Sequence, residues 1–362
     1  MTIEFDFDVL SSLGLTPALA SRALQLDVEG DAKLVRVTEV HRETLTIHDG
    51  WESSTARPLP RFARAMIEAD TGVAVGDWVL ISPDAHGGTW VADRVPPSTH
   101  IARRDGEGRR HPVVSNVDTA LLVMGLDDDF NPRRLERYFA LVHDEGVTAA
   151  VVLTKRDVAA PSDDLVEERL AALEGRVPAG TDVHAVDGTD PETAATLAGY
   201  LRRGQTLVLL GSSGAGKSTL TNTLLGSAVQ STGAVREHDS RGKHTTTSRS
   251  LHRLPGGACV IDTPGLRALR PDGDTESLAG AFADVAALAA QCRFRDCRHE
   301  QEPGCAVRAG VSADHLRNYQ KLLREIQRDN MTALDRQRQV AMWKARGRAA
   351  AERMRAKRGS SG

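Results

Sequence analysis

The sequence predicts an α/β protein in which a doubly wound sheet lies between a small N-terminal β-barrel and a C-terminal helical domain. Three patterns support this fold class. From Val117 onward, short apolar strands alternate with amphipathic helices, which is typical of a parallel sheet covered on both faces. Before it, residues 34–95 carry short alternating runs separated by Gly, Pro and Asp, as small barrels do. After it, from about Ala313, the chain has the pattern of a long basic helix.

The N-terminal runs favour an OB-type barrel. Strands are predicted at residues 34–37, 45–47, 73–81 and 90–92, within about sixty residues that suit five short strands. An SH3-like barrel or an irregular sheet also fits the spacing, and we favour the OB type. A short helix is predicted over residues 16–26. Pro96, Pro97 and the arginine-rich stretch 103–110 predict an exposed linker.

The central region predicts the alternating elements of the sheet. The strands are expected at 117–124, 147–153, 206–210 and 258–261, and the helices at 132–143, 163–173, 191–201 and 277–290. Short apolar strands with intervening helices leave no sheet face open, so the strands should be mostly parallel and buried.

Composition limits the classes of partner. The 362 residues suffice for two or three domains, and the net charge of −3 indicates no global attraction to polyanions. The segment 317–358, however, has thirteen basic and four acidic residues, a net charge of +9, which favours contact with a nucleic acid. No signal peptide pattern or stretch of eighteen apolar residues is present, so we expect a cytoplasmic protein without a membrane span.

A glycine-rich turn follows the predicted strand 206–210. It has the pattern G-x-x-x-x-G-K-S, and a helix is expected from Thr219; the residues of this phosphate cradle are Gly211, Ser212, Ser213, Gly214, Ala215, Gly216, Lys217 and Ser218. Backbone N–H groups of such a turn surround phosphates at a helix N-terminus. Lys217 is expected to reach the β- and γ-phosphates, and Ser218 to supply a hydroxyl to Mg²⁺. The cradle alone does not distinguish ATP from GTP.

Two further segments suit a nucleotide-bound Mg²⁺. Asp262-Thr263-Pro264-Gly265 is a D-x-x-G sequence at a strand end, where Asp262 would hold Mg²⁺ through water and the Gly265 N–H would approach the γ-phosphate. The loop Gly242-Lys243-His244-Thr245-Thr246-Thr247 offers a threonine for Mg²⁺ and the γ-phosphate. On spacing alone, these threonines are equally compatible with the start of a strand running toward Leu254.

The segment Thr154-Lys155-Arg156-Asp157 ends another apolar strand and has the pattern [N/T]-K-x-D of a guanine reader. The Asp157 carboxylate would accept hydrogen bonds from guanine N1–H and the N2 amino group, which adenine does not offer, and the Lys155 stem would lie along the ring. In an ordinary G domain this segment follows the cradle; here it precedes it. The sequence therefore predicts a circularly permuted P-loop G domain, in which Asp262–Gly265 lies one helix away from the C-terminal domain.

A metal site is predicted in the C-terminal region. Cys292, Cys297, His299 and Cys305 form the pattern C-x₄-C-x-H-x₅-C, a complete tetrahedral set for one structural Zn²⁺ with no position left for substrate. The fourth cysteine, Cys259, lies on an apolar strand and is predicted to be a core residue.

The permuted order, the motifs at 154–157, 211–219, 242–247 and 262–265, and the Cys/His cluster together resemble the ribosome small-subunit-dependent GTPase family (RsgA, the YjeQ-type permuted GTPases), over about residues 34–330. The resemblance implies hydrolysis of GTP to GDP and phosphate with Mg²⁺, stimulated by the small (30S) ribosomal subunit, late maturation of that subunit, and 16S rRNA binding. The implied domains are an N-terminal extension (1–30), an OB-fold RNA-binding domain (31–100), the permuted GTPase domain (112–275), a zinc-binding domain (276–340) and a basic tail (341–362). We expect a monomer.

The resemblance also assigns roles and shows departures. Thr246 is expected among the GTP-binding residues, and His244 is the candidate catalytic residue, because Leu266 stands where many GTPases carry the glutamine that orients water. The family usually has Asn in place of Thr154, so nucleotide affinity is expected to be lower. Ala185-Val186-Asp187-Gly188 is the nearest candidate for the second base-contacting segment.

Two other functions fit parts of the pattern. One is a nucleotide-gated rRNA-binding chaperone with negligible hydrolysis, and the other an ATP-dependent kinase or ATPase built on the same cradle.

Overall fold

The computed structural model of the chain describes residues 3–27, 30–83, 88–104, 110–159, 163–227, 249–263, 270–271 and 275–329. Among the helices in these ranges, none combines the length and the apolar character that a membrane span requires. The described chain forms a barrel, a helix-covered sheet that continues from it, and a group of C-terminal helices.

One short strand and two helices precede the barrel: β1 (Ile3–Glu4), α1 (Phe7–Ser11) and α2 (Pro17–Leu24). The start of α2 is set by Thr16, whose hydroxyl accepts a hydrogen bond from the Leu19 N–H at 3.3 Å, and by Pro17 in the first turn. The helix predicted over residues 16–26 is confirmed and ends two residues earlier.

The barrel has five strands and one inserted helix: β2 (Ala32–Val40), β3 (Leu45–His48), β4 (Ser53–Pro58), α3 (Pro60–Glu68), β5 (Trp78–Pro83) and β6 (Thr89–Arg94). It closes because β2 pairs with both β3 and β5, while β4 pairs with β6. Alternate residues, among them Val35, Val37 and Ile47, fill its interior. The five-stranded OB-type barrel is confirmed, although the predicted run 73–81 becomes a strand only from Trp78.

The expected linker is wrong in part. Residues on both sides of 105–109 form an antiparallel pair, β7 (His100–Arg104) and β8 (Arg110–Ser115). The arginine content suggested exposure, but Ile101, Val113 and Val114 are fully buried in the main core, which favours a strand pair. A third strand that follows the central sheet, Arg270–Pro271, pairs with β7.

The central sheet alternates strands and helices as predicted. Its elements are β9 (Thr119–Gly125), α4 (Pro132–Val142), a 3₁₀ turn (His143–Glu145), β10 (Thr148–Thr154), α5 (Arg156–Ala159), α6 (Asp163–Ala171), β11 (Val183–Ala185), α7 (Thr193–Thr196), β12 (Thr206–Gly211), α8 (Lys217–Leu225), β13 (Ser250–Arg253) and β14 (Cys259–Asp262). The strand that follows, β15 (Arg270–Pro271), pairs with β7 in a separate sheet. The helix expected over 191–201 is reduced to α7 within a series of turns, and α8 begins at Lys217 rather than Thr219.

The strand order is β11-β10-β9-β12-β14-β13, and the first five strands are parallel. Consecutive residues point to opposite faces. In β9, Leu122 therefore joins one apolar core and Leu121 the other. The last strand, β13, is antiparallel to β14 and also pairs with β2 through Ser250 and Glu39, so the sheet continues into the barrel. The doubly wound sheet is confirmed.

The C-terminal region is helical: α9 (Thr275–Ala281), α10 (Ala283–Ala289), α11 (Ala306–Gly310) and α12 (Ala313–Asp329). The single helix predicted over 277–290 is interrupted at Phe282, whose φ of −118° and ψ of 53° are not helical and whose ring is buried. The predicted basic helix from Ala313 is confirmed as far as Asp329.

Candidate nucleotide site and metal centre

The phosphate cradle connects β12 to α8. Gly214 and Gly216 both have φ of +86°, a backbone conformation that L side chains rarely adopt, so the turn depends on glycine at these positions. The Lys217 Nζ lies over the turn and donates to the carbonyls of Gly211 at 3.0 Å and Ser212 at 2.7 Å. Burial lowers the pKa of Lys217, while the charges of Asp262 and Asp129 act to raise it.

Asp262 and Ser218 lie together at the edge of the cradle. β12 and β14 are neighbours, and the Ser218 hydroxyl donates to Asp262 Oδ2 at 3.3 Å. Asp262 is 1% exposed, and its Oδ1 has no hydrogen-bond partner among the described residues. Burial raises the pKa of Asp262, which Lys217 and Ser218 partly offset. A buried carboxylate with an unpartnered oxygen beside a hydroxyl suits Mg²⁺, which prefers oxygen ligands.

The predicted guanine-reading turn at the end of β10 lies beside the cradle. The Thr154 hydroxyl donates to the Ala215 carbonyl at 2.7 Å, which joins two segments 61 positions apart in the sequence. Lys155 has φ of +62°, an uncommon backbone for a residue other than glycine and one that occurs at functional sites. Arg156 and Asp157 begin α5, and Asp157 is exposed.

A third segment at this edge, the acidic loop Asp127–Asp129, was missed from the sequence. Asp127 Oδ2 accepts from Lys155 Nζ at 2.7 Å, and Asp129 Oδ1 accepts from the Ser212 hydroxyl at 2.6 Å. The loop thus contacts both the guanine reader and the cradle. Three consecutive aspartates directly after a buried strand were the available signal, because ligands bind at the carboxyl ends of parallel strands.

The segment Ala185–Gly188 also reaches this edge. The Val186 carbonyl accepts from the Arg156 N–H at 3.2 Å, and the Gly188 carbonyl accepts from the Thr223 hydroxyl of α8 at 2.7 Å. The structure therefore brings the candidate second base-contacting segment between the reader and the cradle helix.

Part of the predicted site falls outside the described residues. This applies to Gly242–Thr247, with His244 and Thr246, and to Pro264, Gly265 and Leu266. The described part of the D-x-x-G segment ends at Thr263, whose hydroxyl donates to the Leu209 carbonyl at 2.6 Å.

Helix α4 follows the acidic loop and carries the contact with the C-terminal helices. The buried Glu136 carboxylate contacts His315 Nδ1 at 2.7 Å and accepts from Asn318 Nδ2 at 2.5 Å. His315 Nε2 lies 3.1 Å from Asp284, and Arg137 pairs with Glu325 at 2.7 Å. Burial alone would lower the pKa of His315, but the hydrogen bonds and charges of Asp284 and Glu136 outweigh it and raise the pKa to about 9.

The four predicted metal ligands converge between α10 and α11. One ligand atom from each of Cys292, Cys297, His299 and Cys305 lies within 4.8 Å of the others, and the three thiols are free. His299 Nδ1 is 3.6 Å from Cys292 Sγ and 3.4 Å from Cys305 Sγ. This cluster can hold a metal ion, and its donor set fits Zn²⁺. Cys259 is fully buried on β14, as predicted for a core residue.

Comparisons with known proteins agree with this geometry. A family model described as RsgA GTPase matches residues 95–271. The small ribosomal subunit biogenesis GTPase RsgA of Xanthomonas campestris pv. campestris (strain B100) is 48% identical over 299 residues, which cover 80% of each chain. The protein of the same name from Xanthomonas axonopodis pv. citri (strain 306) is 44% identical over 333 residues, 89% of each chain.

Solved structures are similar in fold. YjeQ from Thermotoga maritima matches with a TM-score of 0.57 at 21% identity, over 82% of this chain and 98% of that one. YloQ, described as a circularly permuted GTPase, matches with a TM-score of 0.56 at 21% identity, over 83% of this chain and 97% of that one. The permuted arrangement predicted from the motif order is confirmed.

Proposed function

This chain belongs to the RsgA GTPase family and is a GTP hydrolase, and we propose where it acts. It hydrolyses GTP to GDP and phosphate while docked on the small ribosomal subunit, during late maturation of that subunit. The proposal rests above all on one contact, the hydrogen bond from Thr154 to the Ala215 carbonyl. It holds the guanine-reading turn against the phosphate cradle, so one nucleotide can span both.

Different residues are assigned to the base, the phosphates, the metal ion and the attacking water. Lys155 and Asp157 read guanine, while the cradle N–H groups and Lys217 hold the phosphates. Ser218 and, through water, Asp262 would hold Mg²⁺, which would supply positive charge to the phosphates. Thr246 and Gly265 complete the contacts with the γ-phosphate, and His244 orients the attacking water in place of the glutamine that Leu266 replaces.

The flanking regions provide the link to the subunit. The OB-type barrel and the basic tail bind 16S rRNA, since the segment 317–358 carries a net charge of +9. Cys292, Cys297, His299 and Cys305 would hold one Zn²⁺, which would stabilise the C-terminal region without taking part in catalysis. The chain acts as a monomer in the cytoplasm, with the domain boundaries expected from the sequence. Metal analysis of wild type and Cys305→Ser tests the zinc site.

The deciding experiment compares GTP and ATP hydrolysis with and without purified small subunits. We expect the protein to hydrolyse GTP but not ATP, and the small subunits to increase the rate of GTP hydrolysis. Asp157→Asn should lose the preference for GTP, whereas Asp164→Asn, at an exposed position on α6, should keep it. Nucleotide-dependent rRNA binding with negligible turnover would instead indicate a nucleotide-gated chaperone, and a preference for ATP would contradict the guanine reader.

His244 is tested separately. His244→Ala should abolish subunit-stimulated turnover and leave nucleotide affinity nearly intact, because the residue is proposed to act on the water and not on the nucleotide. An equal loss of both would contradict this role.

A further inference from the structure

Ser212, the second residue of the cradle, is held by two side chains that lie outside the nucleotide-binding motifs. Its hydroxyl accepts a hydrogen bond from Arg134 Nη1 at 2.5 Å and donates one to Asp129 Oδ1 at 2.6 Å. Arg134 and Asp129 also form an ion pair with each other. A hydroxyl has one proton to donate, so the Asp129 acceptor takes that proton while the Arg134 donor occupies a lone pair of the same oxygen, and the two together fix its orientation.

The backbone of Ser212 in turn holds the cradle lysine. Lys217 Nζ donates to the Ser212 carbonyl at 2.7 Å and to the Gly211 carbonyl at 3.0 Å. An ammonium group has three N–H donors, and the two carbonyls therefore leave one for a phosphate oxygen. Any shift of Ser212 changes the direction in which that last donor points.

Arg134 is placed where a cation does not help its own helix. It lies in the first turn of α4, which contains no acidic residue, and the helix dipole disfavours positive charge there. The Asn131 side chain already caps the helix by accepting from the Arg134 N–H at 3.2 Å. The Arg134 side chain is therefore better explained by its contacts with Asp129 and Ser212 than by the stability of α4.

We propose that Arg134 is a positioning residue for GTP hydrolysis: with Asp129 it fixes Ser212, and through Ser212 it orients Lys217 toward the β- and γ-phosphates. This inference rests on the proposed GTPase function. Arg134 also compensates Asp129, whose charge acts on Lys217. Without Arg134, an uncompensated carboxylate would lie at the edge of the cradle and repel the triphosphate.

Arg134→Ala tests the proposal by single-turnover GTP hydrolysis and by titration with fluorescent GDP. We expect the hydrolysis rate to fall about 10- to 100-fold, since small misplacements near reacting groups have effects of this size. GDP affinity should change less than about threefold, because cradle N–H groups hold the β-phosphate. Arg133→Ala is the matched control, since Arg133 lies in the same turn but donates to Asp314.

A double-variant comparison separates positioning from general damage. Ser212→Ala should lower the rate by no more than Arg134→Ala does, because the ion pair between Arg134 and Asp129 remains. The double variant should be no slower than Arg134→Ala, because Arg134→Ala has already removed the contact with Ser212. Arg134→Lys should recover part of the rate, since lysine restores the charge and a hydrogen-bond donor but not the planar guanidinium.

Hydrolysis by Arg134→Ala at the wild-type rate would overturn the proposal, and so would losses that add in the double variant. If Arg134→Ala does not fold, Asp129→Asn and Ser212→Ala apply the same test to the other two members of the contact. Absence of GTP hydrolysis by the wild-type chain would refute the proposed function, whereas equal rates of wild type and variant would refute only the role of Arg134.

Discussion

Helix α4 contacts two regions of the molecule by different physical means. At its first turn it meets the proposed nucleotide site, where Arg134 donates to the Ser212 hydroxyl and forms a partly exposed ion pair with Asp129. Farther along, it meets the C-terminal helices through Glu136 and His315, whose side chains are 2% and 4% exposed. Removing a contact on the nucleotide side should cost little free energy. Removing one at the junction, the contact of α4 with the C-terminal helices, should cost more.

This difference indicates a division of roles. A hydrogen bond contributes about 0.5–1.5 kcal/mol between neutral groups and about 1.5–3 kcal/mol to a charged group such as Arg134 or Asp129, so the nucleotide site can rearrange as ligand binds and leaves. Removing one partner of a buried ion pair costs about 3–5 kcal/mol, because the other charge remains buried. The C-terminal helices should therefore move with α4 as one body, and substitutions on the two sides should differ in size and in what they change.

The largest effect is expected at the junction. Glu136→Gln leaves His315 with Asp284 as its remaining carboxylate partner and should lower the free energy of unfolding by about 3 kcal/mol, measured by urea denaturation. Nucleotide affinity should be unchanged. Glu168→Gln, at an exposed site on α6, is the control and should have little effect. A loss below about 1 kcal/mol would remove the distinction between the two regions.

The same junction should respond to pH. The pKa of His315 is raised from 6.5 to about 9 by Asp284 and Glu136, despite its burial. A raised pKa in the folded state stabilises it fully below pH 6.5, and that stabilisation is lost as pH rises through 9. At 1.36 kcal/mol for each pKa unit, the rise from 6.5 to about 9 corresponds to a loss of about 3 kcal/mol.

Urea unfolding of wild type and His315→Gln across this pH range measures the effect. The variant lacks the titrating ring, so its stability should change less between pH 6.5 and 9. Parallel pH profiles of the two proteins would show that the junction does not depend on a charged His315.

These regions also differ in how far the sequence predicts them. The cradle and the metal ligands were predicted because each is a short contiguous pattern, the metal set falling within residues 292–305. The junction was not predicted, because Glu136 and His315 are 179 positions apart and only the folded chain brings them together. Arg134 was missed for the same reason, since its partner Ser212 is 78 positions away. Asp129 was missed although the three consecutive aspartates gave a signal, because they match none of the nucleotide-binding motifs. The β7–β8 pair was predicted to be a linker because the arginines of 103–110 suggested an exposed segment, although Ile101 and Val113, on either side of it, are buried.

The smallest effect is expected on the nucleotide side, at Thr154. Its hydroxyl is the donor that joins the reader to the Ala215 carbonyl, and the side chain is 1% exposed. Thr154→Val has nearly the same shape but leaves that carbonyl without this donor, so nucleotide affinity should fall about tenfold, equivalent to about 1.4 kcal/mol. Titration with fluorescent GDP measures it.

Two further variants define what the hydroxyl contributes. Thr154→Asn, which introduces the residue usual in the family, can donate from its amide and should bind within about threefold of wild type. Thr148→Val, at an exposed position on the same strand, should bind as wild type does. If Thr154→Val also binds as tightly as wild type, then strand pairing between β9, β10 and β12 alone aligns the reader with the cradle. The nucleotide side would then be as rigid as the junction, and the contrast between the two ends of α4 would lie only in their charges.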